Sequence, residues 1–200
     1  KATGFHTLTL NQDSDPAKVI MLDKAFSAME GRGRSGMIKA KNADTLVYTL
    51  PRFDEFPDLW TSDSTFTAMK KISDANPQQA EFNWGKAELI DYRNSDGKDL
   101  RAILIKPEDF DPARKYPLMV YIYEQLTSGL HRYQAPAPGT SINVSRYVSH
   151  GYIVLQPDIV YDIGYPGQSA LKCVLPAVQK VIDMGFVDSQ RIGIQGHAGA

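Results

Sequence analysis

The sequence has few of the residues that mark several specialised classes of protein. Its single cysteine, Cys173, has no partner for an internal disulfide. It lies in an apolar stretch with helical spacing, where we expect a buried thiol that packs as a small hydrophobe. None of the four histidines has the spacing of a metal-binding pair, so we expect no metal and no cofactor.

An excess of charge of one sign is also missing. The chain carries 22 lysines and arginines against 23 aspartates and glutamates, for a formal net charge of −1. This balance gives no reason to expect nucleic acid or an anionic membrane as a partner. The longest apolar runs, such as residues 118–123, are far too short to span a bilayer.

The first residues contain neither a methionine nor the apolar core of a signal peptide. Because strand-like sequence follows directly, we expect the chain to be an internal piece of a longer protein. The composition leaves the compartment open, since a lone cysteine suits the cytoplasm and does not exclude the periplasm. A homo-oligomer of the full-length protein is compatible with the sequence.

The part of the chain before about residue 85 predicts β-structure. Short alternating runs are separated by polar turns at intervals of roughly ten residues. The predicted strands are residues 7–10, 18–22, 36–40, 45–50 and 58–61. This spacing indicates an all-β sandwich, barrel or propeller, and the pattern alone does not select one of the three.

From about residue 86 the predicted order becomes strand, strand, strand, helix, strand, helix, strand. The predicted strands are residues 86–92, 100–106, 117–123, 152–156 and 191–195, and the predicted helices are 142–150 and 168–184. An Asp-Gly pair at 96–97 predicts a hairpin turn between the first two strands. Alternating strands and helices predict an α/β fold with a mostly parallel sheet, to which the hairpin adds an antiparallel edge. We expect the last strand to lie parallel beside residues 152–156.

Several segments carry motifs that narrow this choice. They are residues 55–60 (EFPDLW), 72–77 (ISDANP), 115–123 (KYPLMVYIY), 151–158 (GYIVLQPD) with 164–167 (GYPG), and 183–197 (DMGFVDSQRIGIQGH). Together they resemble the prolyl oligopeptidase family of serine peptidases, and most of all its dipeptidyl and acylaminoacyl peptidase branch. The first two are similar to the last propeller strands and the linker of that family. The others are similar to its third hydrolase strand, its fourth strand with the following loop, and its approach to the nucleophile.

The resemblance implies a division of the chain into two parts. Residues 1–84 would be the C-terminal portion of a β-propeller and its linker, and residues 85–200 the N-terminal half of an α/β-hydrolase domain, truncated. The implied activity of the parent protein is hydrolysis of short peptides through Ser-His-Asp acyl-enzyme chemistry. In this fold the acid and the histidine follow the nucleophile in the chain, so both would come after residue 200. An esterase or lipase of the same fold is an alternative, but the β-rich segment before residue 85 argues against it, because such enzymes have no need of a propeller.

The expected nucleophile turn departs from the family pattern. This turn usually reads G-x-S-x-G, and residues 196–200 here read Gly-His-Ala-Gly-Ala. Ala198 stands in the position of the serine, and a methyl group cannot attack a carbonyl. Three explanations of the alanine at this position stay open. Either the end of the sequence does not report the parent protein, or the change from serine to alanine was introduced, or the protein is a non-catalytic pseudoenzyme that serves as a binding module. We expect this 200-residue chain itself to be inactive.

The resemblance also implies an oxyanion hole and contacts to substrate. Tyr123 would direct its hydroxyl into the hole beside the backbone N–H of Gly199, so that two donors stabilise the tetrahedral intermediate. Periodicity alone would instead make Tyr123 a core residue of an apolar strand. Glu124 and Tyr161 lie in loops where a peptide substrate would approach, although solvated loop or turn positions are the alternatives. Asp158 lies in the same loop as Tyr161, after the predicted strand at 152–156. An aspartate there is equally expected to hydrogen-bond to the backbone of a turn.

Overall fold

The computed structural model describes residues 4–7, 18–21 and 37–197. The chain separates into two compact units. The first unit is formed by Lys1–Pro77 with His131–Tyr133, and the second by Gln78–Leu130 with Gln134–Ala200.

The described part of the first unit is built mainly from short antiparallel strands. Strands β1 (Gly4–Thr7) and β2 (Lys18–Met21) pair with each other. A second sheet contains four strands in chain order: β3 (Met37–Lys39), β4 (Leu46–Thr49), β5 (Leu59–Ser62) and β6 (Lys70–Lys71). The predicted strands at 18–22, 36–40, 45–50 and 58–61 are therefore confirmed. The strand predicted at 7–10 falls largely outside the described residues.

Strand β4 supplies the centre of the first unit's apolar core. Leu46, Tyr48 and Leu50 are buried at alternate positions, as expected of a strand with one face toward a core. Trp60 and Phe66 pack against them, and the rings of Tyr48 and Phe66 lie 5.6 Å apart. Strand β6 went unpredicted because it consists of two exposed lysines, which carry no apolar alternation.

The second unit is built on a mixed five-stranded sheet. Its strands are β7 (Lys86–Arg93), β8 (Asp99–Lys106), β9 (Tyr116–Ile122), β10 (Ile153–Pro157) and β11 (Val187–Gly196). The spatial order is β11-β9-β10-β8-β7. Strands β10 and β11 both run parallel to β9, whereas the β7–β8 hairpin is antiparallel. The predicted mixture of a parallel core and an antiparallel edge is confirmed.

One predicted neighbour in this sheet is wrong. Strand β11 does not lie beside β10; it pairs with β9, with Ile194 opposite Val120 and Gly196 opposite Ile122. The reason is that a strand has only two edges to offer. Those of β10 are taken by β8 and β9, so β11 extends the sheet on the far side of β9.

Two α-helices connect the parallel strands. They are α1 (Val144–Ser149), capped by Asn143, and α2 (Pro166–Asp183), which begins with a proline in its first turn. Both predicted helices are confirmed, with α1 shorter than expected. Gly151 and Gly185 follow the two helices with φ of +78° and +94°, the left-handed backbone that suits glycine at this point. Within the described residues, no helix has the length and apolar character needed to traverse a membrane.

The core of the second unit lies between α2 and the sheet. Every residue of β10 is buried, which explains why four of its five residues are apolar, with the buried Gln156 as the exception. The buried members of the cluster include Leu104, Leu118, Val120, Ile153, Leu155, Cys173, Ala177 and Val181. Cys173 is fully buried, as predicted, while Leu171 and Leu175 lie on the exposed face of the same helix. Short 3₁₀ turns occur at Pro77–Glu81 and Thr127–Gly129.

Candidate functional site

The sheet brings three chain segments together at one edge. Strands β9, β10 and β11 are parallel, so their carboxyl ends lie at the same edge of the sheet, where open α/β sheets bind ligands. Gly196, the last residue of β11, is the register partner of Ile122, the last residue of β9. Tyr123 follows Ile122 directly in the chain. The chain leaving β11 therefore starts beside Tyr123, while Ala198 and Gly199 themselves lie outside the described residues.

Tyr123 is a surface residue at this edge. The strand ends one residue earlier than predicted, and the side chain of Tyr123 is 43% exposed. The alternative of a core tyrosine is therefore wrong. Glu124 follows it and is exposed as well.

The loop that follows β9, residues 123–130, is fastened by the loop that follows β10. The Asp158 carboxylate accepts hydrogen bonds from the backbone N–H groups of Leu126 (2.7 Å) and Thr127 (2.9 Å) and from the Thr127 hydroxyl (2.5 Å). The backbone N–H of Ile159 donates to the carbonyl oxygen of Glu124 at 2.8 Å. Asp158 is thus used in turn chemistry, one of the two roles that its position suggested.

Tyr161 makes a further contact in the same place. Its hydroxyl donates to the main-chain carbonyl oxygen of Tyr123 at 2.8 Å. The ring is half-buried and packs against the core cluster of the second unit. Burial, together with the negative charge of Glu124, raises the pKa of the Tyr161 phenol, so the hydroxyl keeps the proton that it donates. The structure therefore joins Tyr161 to the backbone of Tyr123.

A second tyrosine supports Asp158 from the antiparallel side of the sheet. The hydroxyl of Tyr92 on β7 donates to the carbonyl oxygen of Asp158 at 2.5 Å, and the N–H of Asp158 donates to Arg101 on β8 at 2.9 Å. Tyr92 is buried, and burial raises the pKa of its phenol well above the usual value. The backbone on either side of the Asp158 side chain is thereby held in place.

Sequence reasoning missed the partners of Asp158. Leu126 and Thr127 lie 32 and 31 residues before it in the chain, so no local spacing links them. The usable signal was the position of an aspartate directly after a fully buried strand, at the edge where loops meet.

His150 and Tyr133 make contacts that belong to the fold. His150 is the C-cap residue of α1, and its Nδ1 lies 2.7 Å from the carbonyl oxygen of Arg146. Tyr133 packs within the first unit, where its ring meets Phe56 edge-on at 5.4 Å and its hydroxyl lies 3.4 Å from the Asn76 amide. Across the described part of the chain, no group of three or more His, Cys, Asp or Glu side chains is placed to hold a metal ion.

Comparison with known proteins points to one group of peptidases. No family model matches the chain. A curated relative, dipeptidyl-peptidase 5 of Aspergillus fumigatus, is 30% identical over 115 residues, which is 54% of this chain. The resemblance to prolyl oligopeptidase family peptidases is confirmed. The chain spans about 15% of the length of the curated relatives that it matches.

Solved structures of the same group share the fold. A post-proline cleaving enzyme from Rickettsia typhi superimposes with a TM-score of 0.63 over 99% of this chain and 28% of its own, at 15% sequence identity. Dipeptidyl peptidase 4 of Porphyromonas gingivalis gives a TM-score of 0.58 over 91% of this chain and 27% of its own, at 18% identity. At these identities the match is evidence for the fold alone.

Proposed function

We propose that this chain is part of a serine peptidase that hydrolyses short peptides. In this proposal residues 1–84 are the C-terminal portion of a β-propeller with its linker, and residues 85–200 are the N-terminal half of an α/β-hydrolase domain. The observation that carries the proposal is the pairing of Gly196 with Ile122. It starts the chain toward position 198 directly beside Tyr123, as an oxyanion hole built from both segments requires.

The proposed chemistry is acyl transfer. A serine at position 198 attacks the scissile carbonyl carbon while a histidine from another part of the protein takes the serine proton. The new C–O bond makes a tetrahedral oxyanion, which accepts hydrogen bonds from the Tyr123 hydroxyl and the N–H of Gly199. The C–N bond then breaks, the histidine gives its proton to the leaving amine, and water hydrolyses the acyl-enzyme by the same route.

Two side chains near Tyr123 are assigned to the peptide substrate. Glu124 presents an exposed carboxylate one residue beyond Tyr123, where it suits a positively charged group of a peptide. Tyr161 offers ring surface, since its hydroxyl proton is already donated to Tyr123. The reaction needs no metal or cofactor, because the serine, histidine and oxyanion donors supply all of its proton transfers and charge stabilisation.

Ala198 favours a second candidate function. A protein with alanine at this position keeps the sheet and the loops but has no nucleophile. Such a protein would bind peptides at the edge formed by β9, β10 and β11 without cleaving them.

Hydrolysis of chromogenic dipeptidyl and aminoacyl amides by the full-length protein separates the two candidates. We expect turnover with serine at position 198 and none with alanine. We also expect Tyr123→Phe in the serine form to lower kcat by about 100-fold to 1,000-fold, the usual loss for one oxyanion donor. The control is Tyr165→Phe, at a tyrosine of the loop after β10 that is 61% exposed. A serine form that binds peptide in calorimetry yet cleaves none would support the binding module instead.

A further inference from the structure

The backbone that carries the proposed oxyanion tyrosine lies beyond the end of the sheet. Strand β9 stops at Ile122, so the ladder of β9 does not extend to Tyr123. Five hydrogen bonds join residues 123–127 to residues 158–161. Two more lie within the loop itself, from the N–H groups of Gly129 and Leu130 to the carbonyl oxygens of Leu126 and Thr127. The position of the Tyr123 hydroxyl therefore depends on a neighbouring loop.

We infer that Tyr161 and Asp158 are positioning residues, which fix the backbone of residues 123–127 and thereby aim the Tyr123 hydroxyl. The inference rests on the proposed function. Tyr161 acts through the carbonyl oxygen of Tyr123 and Asp158 through the backbone of Leu126 and Thr127, so the two hold the segment at both ends.

The loop that supplies these bonds is itself anchored. Directly after Tyr161, the N–H of Asp162 donates to the hydroxyl of Ser169 at 2.9 Å. Ser169 is buried in the first turns of α2, and its hydroxyl donates to the carbonyl oxygen of Tyr165 at 2.8 Å. On the other side, Tyr92 holds the Asp158 backbone. Residues 158–161 thus connect the oxyanion loop to α2 and to β7.

The catalytic consequence follows from preorganisation. A donor stabilises the oxyanion only if it already lies where the charge develops. Since a displacement of about 1 Å can cost on the order of 100-fold in rate, loosening the loop lowers kcat even though Tyr123 is unchanged. Substrate binding in the ground state depends less on that donor, so KM changes little.

The first experiment measures the anchor directly, in this chain and without activity. Amide hydrogen exchange of Leu126 and Thr127 is compared between the unsubstituted chain, Tyr161→Phe, Thr127→Val and the control Tyr165→Phe. We expect exchange at least fivefold faster in the first two variants and unchanged in the control. Thr127→Val removes one hydrogen bond to Asp158 at nearly constant volume. A change at Asp158 itself would remove three hydrogen bonds at once and could impair folding. Unchanged exchange in Tyr161→Phe overturns the inference.

The second experiment uses the full-length protein with serine at position 198. Tyr161→Phe is made in the presence of Tyr123 and again in a Tyr123→Phe background. If Tyr161 acts through Tyr123, kcat falls roughly tenfold in the first background and by less than twofold in the second, with KM within twofold throughout. A general loss of structure would lower kcat equally in both backgrounds, and this outcome contradicts a positioning role.

The same measurements separate failure of the inference from failure of the proposed function. If Tyr123→Phe alone leaves kcat unchanged, the oxyanion assignment is wrong and the positioning role falls with it, while hydrogen exchange still decides whether the anchor exists. If Tyr123→Phe lowers kcat and Tyr161→Phe does not, the proposed function stands and the inference fails.

Discussion

The carbonyl oxygen of Lys172 in α2 accepts a hydrogen bond from the backbone N–H of Ser95 at 3.0 Å. In a regular helix this carbonyl would accept from residue 176, but residue 176 is a proline and has no N–H. The Lys172 ammonium also pairs with Asp96 at 3.0 Å. The turn of the β7–β8 hairpin therefore docks on α2 where the helix has a free acceptor.

Replacing Pro176 by alanine should loosen this docking. The new N–H at position 176 competes with Ser95 for the Lys172 carbonyl, so we expect faster amide exchange at Ser95. One hydrogen bond replaces another, and the free energy of unfolding should change by less than about 1 kcal/mol. Leu175→Ala, at the neighbouring exposed position, is the control and leaves the exchange of Ser95 unaltered. Unchanged exchange at Ser95 in Pro176→Ala would contradict the competition.

A change from glycine to alanine should destabilise the protein to very different extents at two glycines with similar backbone conformations. Gly85 and Gly97 have φ of +86° and +78°. A Cβ at Gly85 would lie 2.4 Å from Cγ1 of Val148 and 2.6 Å from the carbonyl oxygen of Lys106, whereas a Cβ at Gly97 meets no atom within 4 Å. An alanine would be strained by the left-handed backbone at both sites. Only at position 85 would its Cβ also overlap with neighbouring atoms.

Gly97→Ala should therefore destabilise the second unit by about 1 kcal/mol, and Gly85→Ala by about 2–4 kcal/mol. Urea unfolding of the two variants beside the unsubstituted chain measures the difference. Equal losses would mean that the contact of residue 85 with Val148 and Lys106 is looser than the structure has it.

The order of elements in the second unit was predictable because each element carries a local pattern. Strand β10 is an apolar run interrupted only by Gln156, α2 has helical spacing, and Gly151 and Gly185 follow their helices. The neighbour of β11 was not predictable in this way. Periodicity tells which face of a strand is buried, but not which strand it pairs with, and that depends on the edges left open after the earlier strands have paired.

In the candidate site, too, local sequence patterns predict some features and miss those that depend on which strands are neighbours. Tyr123 could be singled out only through the family resemblance, since an apolar strand of seven residues gives no sign that its next tyrosine is exposed. The bonds from Asp158 and Tyr161 to the loop after β9 span 31 to 38 residues of chain. Contacts of that range arise from the adjacency of β9 and β10, and the residue types alone do not specify them.

Two leucines with opposite surroundings test the core of the second unit. Leu118 on β9 is fully buried between β10 and β11, whereas Leu175 on α2 is 61% exposed. We expect Leu118→Ala to lower the free energy of unfolding by about 2–5 kcal/mol, because it removes buried surface and leaves a cavity. Leu175→Ala should stay within about 0.5 kcal/mol of the unsubstituted chain. Chemical denaturation of both variants under one set of conditions measures the contrast.

Asp63 in the first unit predicts a loss of stability at low pH. Its carboxylate accepts hydrogen bonds from the side chain and backbone N–H of Thr67 and from those of Thr65. These bonds, with Thr67 the largest contributor, lower the pKa of Asp63 to about 2. An unfolded aspartate has a pKa of about 3.9. The folded carboxylate therefore adds stability above about pH 4, and that contribution disappears as the pH falls toward 2.

The pKa of Asp63 can be followed by carboxyl carbon NMR during an acid titration. We expect a midpoint of about 2 in the unsubstituted chain and a higher midpoint in Thr67→Val, which loses the strongest donor but keeps the carboxylate. Asp63→Asn should lower the melting temperature at pH 7, and the difference from the unsubstituted chain should shrink toward pH 2, where both lack the charge. A difference that stays constant from pH 7 to pH 2 would mean that the ionised carboxylate does not stabilise this turn, because a pKa shift and a pH-dependent stability are two measures of one free energy.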